Sequence, residues 1–392
     1  MHLFIHGLAA SAGGGITYLR NVIPQIAKRS DVQATVLIAP DIGREMPIAA
    51  NLTVLNTSQP GVGTRTLYEQ VAVRSLIAKS GADVLLSTGN FAIRKSPVAQ
   101  ILLSRNALYT SGEFRKDLRS RSEYFLLFDT WIKGRLARKS IEWADCTVAP
   151  SEAFAEELRK WTSRKILAVH HGFDRELFLN GSRTLPVHAK AALDQTQGAV
   201  RLLFVSHYNY YRNFETLFKA VPMLNRLLKE KKVALLLTCK LDGTKDGAYQ
   251  TREAAAMLRE LGISESVVQL GPIPYESLHE LYRACDIYVT AAYAETFAHP
   301  LVEAMASGLP VVASDLAVHK EICGDAALYF PMFSSEDLAS CIVRLIESPD
   351  LRAKLSQNAV ERSASFNWER HVDELLRIAA ALVEERRSDR QH

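Results

Sequence analysis

The chain has 392 residues, enough for two or three domains with a core each. With 48% hydrophobic and 23% charged residues it has the composition of a globular protein. A formal charge of +4 is too small for a polynucleotide partner, which would show as a clustered basic stripe, so no nucleic acid is expected. Cys146, Cys239, Cys285, Cys323 and Cys341 are odd in number, far apart and without a C-x-x-C pairing. They predict neither a zinc site nor a disulfide framework and fit a reducing compartment. Strand-like residues begin at His2, so no signal peptide is expected, and no apolar run approaches the length of a transmembrane helix.

Residues 2–6 read as a first strand. The loop 7–15 ends in Gly13, Gly14 and Gly15, and residues 16–28 have the spacing of an amphipathic helix. A strand, a glycine-rich loop and a helix start bring backbone close to a phosphate or sugar. A plain flexible connection explains the same residues equally well. Residues 34–39, 52–55, 84–87 and 98–103 read as further strands, separated by helical or turn segments such as 67–80. This alternation argues for βαβ units and a parallel sheet. Residues 113–143 hold eight Lys/Arg against five Asp/Glu, interleaved with Tyr124, Phe125, Leu126, Leu127, Phe128, Trp131 and Ile132. The preferred reading is an amphipathic helix packed on the N-terminal sheet, with its basic residues in solvent. A helix resting on an anionic membrane surface stays open.

Ser151 is placed to cap a helix after a strand end at 144–151, and residues 165–169 read as a strand. His170 and His171 are adjacent, so their side chains point apart, and no metal site is expected there. Residues 175–198 are polar, with Gly181, Pro186 and Gly198, and read as a linker. A second sheet starts at 200–205, followed by a loop 206–213, a helix from Phe214, and strands at 233–238 and 267–270. Residues 287–290 form a β-branched and aromatic run that reads as a buried strand. Residues 300–306 read as a helix with Pro300 at its first position. Gly308-Leu309-Pro310 is a turn, and Val311 opens another strand. Helices follow at 338–346, 351–363 and 372–384, and residues 385–392 are expected to be a disordered tail.

The helix at 300–306 opens just beyond the carboxyl end of a strand, where open α/β sheets bind ligands. Free N–H groups at such an end attract phosphate. Glu295 lies in the loop and Glu303 in the helix, with seven residues between them. They can grip two parts of one ligand whose phosphates sit on the N–H groups of residues 297–302. An isolated pair of glutamates is more often one solvated loop residue and one helix-surface residue.

The run E-T-F-A-H-P-L-V-E-A-M-A-S-G-L-P-V-V-A-S-D, with the downstream His319-Lys320-Glu321-Ile322 and Gly324-Asp325-Ala326-Ala327, resembles the E-x7-E signature of retaining, nucleotide-sugar-dependent glycosyltransferases of family 4. More diffusely, the resemblance covers nearly the whole chain. It implies an α/β protein of the GT-B fold, two Rossmann-like domains facing across a cleft. Residues 1–175 would be the acceptor-binding domain, 176–199 the linker, 200–365 the nucleotide-sugar-binding domain, and 366–392 a helix crossing back to the first domain plus the tail. The implied reaction moves a sugar from a nucleotide diphosphate sugar to an acceptor hydroxyl with retention, giving an α-glycosidic bond. No cofactor and no metal would be needed. The acceptor would be a glycan or a lipid-linked molecule in surface-polysaccharide or lipopolysaccharide synthesis. The location would be cytoplasmic, with peripheral contact at the inner face of the membrane open. A nucleotide-sugar epimerase or phosphorylase on the same fold, or an idle nucleotide-sugar-binding subunit, remains as an alternative.

By the same resemblance Glu303 would hold the ribose and Glu295 the sugar hydroxyls, with the backbone of Phe297, Ala298, His299, Leu301 and Val302 near the phosphates. Relatives carry an Arg and, five residues later, a Lys that reach the diphosphate. Laid on without a gap, His207 takes the first position and Arg212 the second, with Lys240 as a substitute cation. Ile273 lies where relatives seat the base. Gly14 and Gly15 would line the loop facing acceptor and phosphates. A histidine common at the end of the strand 98–103 is replaced by Arg105, able to meet a charged group, and Asn106, able to bind a sugar hydroxyl. The glycine usual after the aromatic of the signature is Ala298, which is strained if φ there is positive.

Overall fold

A computed structural model describes residues 1–10, 14–57 and 68–389. The chain divides into two compact units. The first comprises Met1–Thr110, Phe128–Gly172 and Asn367–His392, the second Ser111–Leu127 and Phe173–Phe366.

The first unit is built on β1 (His2–His6), β2 (Gln33–Ile38), β3 (Leu52–Asn56), β4 (Val84–Ser87), β5 (Ala99–Leu103), β6 (Cys146–Ala149) and β7 (Ile166–Ala168). They pair in the order β3-β2-β1-β4-β5-β6-β7, every neighbour parallel. Central strands of such a sheet are covered on both faces, which is why VLLS in β4 and AQILL in β5 are buried at every position. On one face Leu3, Ile5, Leu86 and Ile101 meet Leu19, Val22 and Ile23 of the helix Gly14–Ala27. Val372, Leu375 and Ala379 of the helix Trp368–Asp389 join the same core. On the other face Phe4 and Leu85 meet Val73 and Ile77.

That last helix runs through 385–389, inside the stretch expected to be disordered. Its final turns are held where Arg386 Nη2 donates to Ser96 O at 3.3 Å and Lys165 approaches Glu385 at 3.5 Å. Residues 390–392 of the expected tail lie outside the described residues, as does Gly13 of the glycine-rich loop.

The second unit carries β8 (Val200–Phe204), β9 (Val233–Leu237), a small hairpin of β10 (Lys245–Asp246) and β11 (Tyr249–Gln250), then β12 (Val267–Gln269), β13 (Ile287–Thr290), β14 (Val311–Ser314) and β15 (Ala327–Phe330). Its main sheet runs β12-β9-β8-β13-β14-β15, again wholly parallel. The first three strands grow outward one way and the next three the other. The order therefore reverses between β8 and β13, where Leu202 faces Ile287 and Leu203 faces Tyr288. Such a reversal marks the crevice at the carboxyl ends of these two strands, where open α/β sheets bind ligands.

Two segments differ from expectation. The polar stretch 175–198 contains the helices Arg175–Asn180 and Val187–Asp194. Asp174 caps the first by accepting from Leu177 N at 3.1 Å, and Phe178, Ala189 and Leu193 give the two helices buried anchors. The basic stretch 113–143 is two helices, Gly112–Ser120 and Tyr124–Trp143, broken where Ser122 takes a φ of 59°. The first of them groups with the second unit and not with the first sheet. There Arg121 pairs with Asp117, Glu215 and Glu253, and Tyr210 Oη donates to Glu123 at 2.8 Å.

Candidate functional site

The crevice of the second sheet is lined by the loop 205–213 after β8 and the loop 291–298 after β13. Two bonds stitch them together. Asn213 Nδ2 donates to Ala291 O at 3.1 Å, and Tyr293 N donates to Tyr211 O at 3.0 Å. Asn213 reaches its partner because it adopts a left-handed φ of 55°, which asparagine tolerates. The stitched loops bring Arg212 and Glu295 together. Arg212 Nη1 donates to Glu295 Oε2, and Thr296 N donates to Glu295 Oε1 at 3.0 Å. Both side chains are largely buried. Burial works against charge on Glu295, but the Arg212 guanidinium and the Thr296 N–H outweigh it and hold the carboxyl below its usual range. Burial likewise works against the charge on Arg212, and Glu295 outweighs it. Arg212 Nε is buried without a hydrogen-bond partner among the described residues.

The helix His299–Ala306 starts at the same crevice. Its N-cap Ala298 has φ 64° and ψ 65°, the left-handed conformation for which a glycine is usual. Holding alanine there costs about 1 kcal/mol. Pro300 has no N–H to offer, and Leu301 N already donates to Ala298 O at 3.0 Å. Leu301 and Val302 point into the core. Phe297 is buried and meets the half-buried His299 edge to face, with ring centroids 4.9 Å apart. Glu303, one turn further on, is only 5% exposed. Tyr282 Oη donates to its Oε2 at 2.9 Å. Burial pushes the Glu303 carboxyl up to about 7, against the pull of that hydrogen bond.

Other expected residues stand apart from this group. His207 is exposed, and its carbonyl accepts from Ser206 Oγ at 2.6 Å. Lys240 is exposed and donates its Nζ to Gln269 O. Ile273 is half-buried in the loop after β12. In the first unit Gly14 opens its helix, and a Cβ on Gly15 would lie 3.2 Å from Ala10 Cα. Arg105 donates to Gly14 O and Thr88 O. Asn106 caps a short turn, its Oδ1 accepting from Leu108 N at 3.0 Å.

Two residues given no role from sequence belong to the group. Tyr282 is fully buried against Glu303. His319 is fully buried, with Nδ1 3.1 Å from both Ser314 O and Ser314 Oγ, while Ser314 Oγ donates to Ala292 O at 2.5 Å. This chain braces the loop that carries Glu295. Burial lowers the His319 pKa to about 4, with Glu295 pulling the other way. Its place in the run after the E-x7-E stretch was the only sequence signal. Among the described residues no cluster of His, Cys, Asp and Glu would hold a metal ion, and no helix is long and apolar enough to cross a membrane.

Two doubly wound parallel sheets on one chain are the GT-B fold, and solved structures match it along nearly the full length. Sucrose-phosphate synthase from Thermosynechococcus elongatus superposes with a TM-score of 0.75 at 19% identity, over 98% of this chain and 100% of that one. Anabaena HepE in complex with UDP-glucose gives 0.70 at 17%, over 97% and 100%. Residues 189–362, within the second unit, match the family model of glycosyl transferases group 1. D-inositol 3-phosphate glycosyltransferase of Saccharomonospora viridis is 32% identical over 218 residues, 54% of this chain and 49% of that protein. The chain spans about half the length of the curated relatives it matches.

Proposed function

We propose that the protein transfers a sugar from a nucleoside diphosphate sugar to an acceptor hydroxyl, with retention of configuration and without a metal ion or other cofactor. The observation that carries this reading is the buried Arg212–Glu295 pair at the reversal point of the second sheet, with buried Glu303 one helical turn beyond it. The pair is a cation and a carboxylate held ready for exchange. Diphosphate oxygens replace Glu295 on the Arg212 guanidinium, whose planar fork suits phosphate. Glu295, released, accepts hydroxyls of the donor sugar, and Glu303 accepts those of the ribose. Stabilising the departing diphosphate is then the main catalytic term. With His207 in solvent and Lys240 bound to Gln269 O, Arg212 is the permanent cation best placed for that task. The acceptor attacks on the face the diphosphate leaves, which takes the acceptor proton.

HepE, whose structure holds UDP-glucose, supports a nucleotide-sugar donor. An acceptor in surface-polysaccharide or lipid-linked glycan synthesis, met at the inner face of a membrane, agrees with the exposed aromatic and basic face of the helix Tyr124–Trp143.

Calorimetry with UDP-, GDP-, dTDP- and ADP-sugars tests the reading. One donor should bind selectively and equally well with EDTA. Arg212→Lys should weaken it about tenfold, through loss of the bidentate fork. Turnover of that donor should require an acceptor hydroxyl. Binding lost with EDTA, or no binding by any donor, would refute the proposal.

A further inference from the structure

Arg105 presents a positive charge that no carboxylate answers among the described residues. It follows β5, where its backbone N–H is fixed on Asn90 Oδ1 at 2.6 Å. Its Nη1 donates to Gly14 O at 3.2 Å and its Nη2 to Thr88 O at 2.8 Å. Its Cζ lies 4.7 Å from the centroid of the Tyr18 ring. Its Nε is buried with no hydrogen-bond partner among the described residues. These contacts orient the side chain but bring no negative charge, and among the described residues they leave three of a guanidinium's five N–H groups unused. Arg212 and Arg121, in the second unit, each face a carboxylate. Arg105 forms no ion pair among the described residues. The segments 11–13, 58–67 and 390–392, which lie outside the description, contain no Asp or Glu. Burial accordingly holds its pKa below the usual arginine value.

A half-buried guanidinium without a counter-charge is costly to keep. It is worth keeping where an anion arrives. The surroundings favour one. Thr88 follows β4 and Gly14 opens a long helix after β1, so Arg105 lies at the carboxyl ends of the two strands between which the first sheet reverses its order. That is the ligand end of such a sheet. The helix start adds a partial positive charge. Among the described residues, a Cβ placed on Gly14 would meet nothing within 4 Å.

We propose that Arg105 binds an oxyanion in the first unit, and that the oxyanion is a phosphate or carboxylate carried by the acceptor. The word acceptor rests on the transfer reading above; the anion site does not. The donor's own diphosphate is the other source of the same chemistry.

The test is calorimetry on the full chain with inorganic phosphate in a chloride buffer, comparing wild type, Arg105→Lys and Arg105→Gln. Wild type should bind phosphate. Arg105→Lys, which keeps the charge but loses the fork, should weaken it about fivefold, and Arg105→Gln about twentyfold or more. UDP-glucose, or whichever donor the panel selects, should bind Arg105→Gln within about twofold of wild type. Phosphate binding that is absent in wild type, or equal in either variant, overturns the site. Donor affinity that falls in step with phosphate affinity overturns its assignment to the acceptor. If Arg105→Gln does not fold, Arg105→Lys carries both comparisons. The phosphate arm needs neither donor nor turnover, so its failure is distinct from failure of the transfer reading.

Discussion

Burial lifts the Glu303 carboxyl to about 7 from an ordinary value of 4.5, so the free protein carries it half protonated at neutral pH. A folded-state pKa above the unfolded one contributes stability that is fully present below pH 4.5 and is lost as pH rises through about 7. Ligand binding runs the other way. A carboxylate that accepts two hydroxyls must be ionised, so donor binding should expel a proton in this range. Between pH 8 and pH 6 the affinity for a nucleotide sugar should fall about tenfold, the loss expected of one group titrating near 7. Titrations in buffers of different ionisation enthalpy measure the proton released. A sugar diphosphate has no phosphate that titrates in this window, and Glu303→Gln should flatten the pH profile. A profile unchanged in Glu303→Gln would assign the titration to another group.

The helix Tyr124–Trp143 has two apolar faces, and only one is covered. Thr130, Ala137, Ser140 and Ile141 are buried. Tyr124, Phe125, Phe128, Trp131 and Ile132 stand 45–85% exposed along the opposite stripe, at spacings that keep them on one side. Lys133, Arg135, Arg138 and Lys139 are exposed beyond them, and Phe128 stacks on Trp131 at 6.0 Å. Aromatics that enter the headgroup layer, with cations beside them, suit an anionic lipid surface. Sedimentation with phosphatidylserine vesicles should show binding that salt weakens. Phe125→Ser combined with Trp131→Ser should reduce it about tenfold or more without lowering Tm, since both rings are exposed in the free protein. The sequence legibly placed the aromatics and cations on one stretch. It did not show which face was free, nor that the stretch breaks at Ser122, because both depend on what packs against it. Strands such as IYVT and VVAS were readable for the opposite reason: covered on both faces, they are apolar at every position. The Arg212–Glu295 contact joins residues far apart in sequence. The family resemblance of the loop 206–213 singled out Arg212, but only the pairing of β8 with β13 puts Glu295 beside it.

At the scale of the whole chain, the second unit borrows Ser111–Leu127 from the first half of the sequence. No local periodicity encodes that exchange; ion pairs and an aromatic contact between distant residues carry it. Arg121 is central. Its guanidinium meets Asp117, Glu215 and Glu253 and lies 4.3 Å from the centroid of the Tyr210 ring. Tyr293 Oη donates to Asp117 at 2.5 Å. Burial opposes charge on Arg121, and Glu215 and Asp117 outweigh it. Removing the cation strands the largely buried carboxylates of Asp117 and Glu215, and breaking such a cluster costs about 3 kcal/mol. Because the cluster sits at the carboxyl end of the helix Gly112–Ser120, the cost should appear as local opening there and not as loss of the fold. In Arg121→Ala, amide exchange across residues 112–120 should quicken about a hundredfold, the factor that corresponds to about 3 kcal/mol. β8 and β13 should keep their protection, because their hydrogen bonds and core are untouched. Exchange that quickens equally in those strands would mean that the excursion is integral to the core of the second unit. Exchange unchanged at 112–120 would mean that the buried Phe114 and Leu118, and not the ion cluster, hold the helix in place.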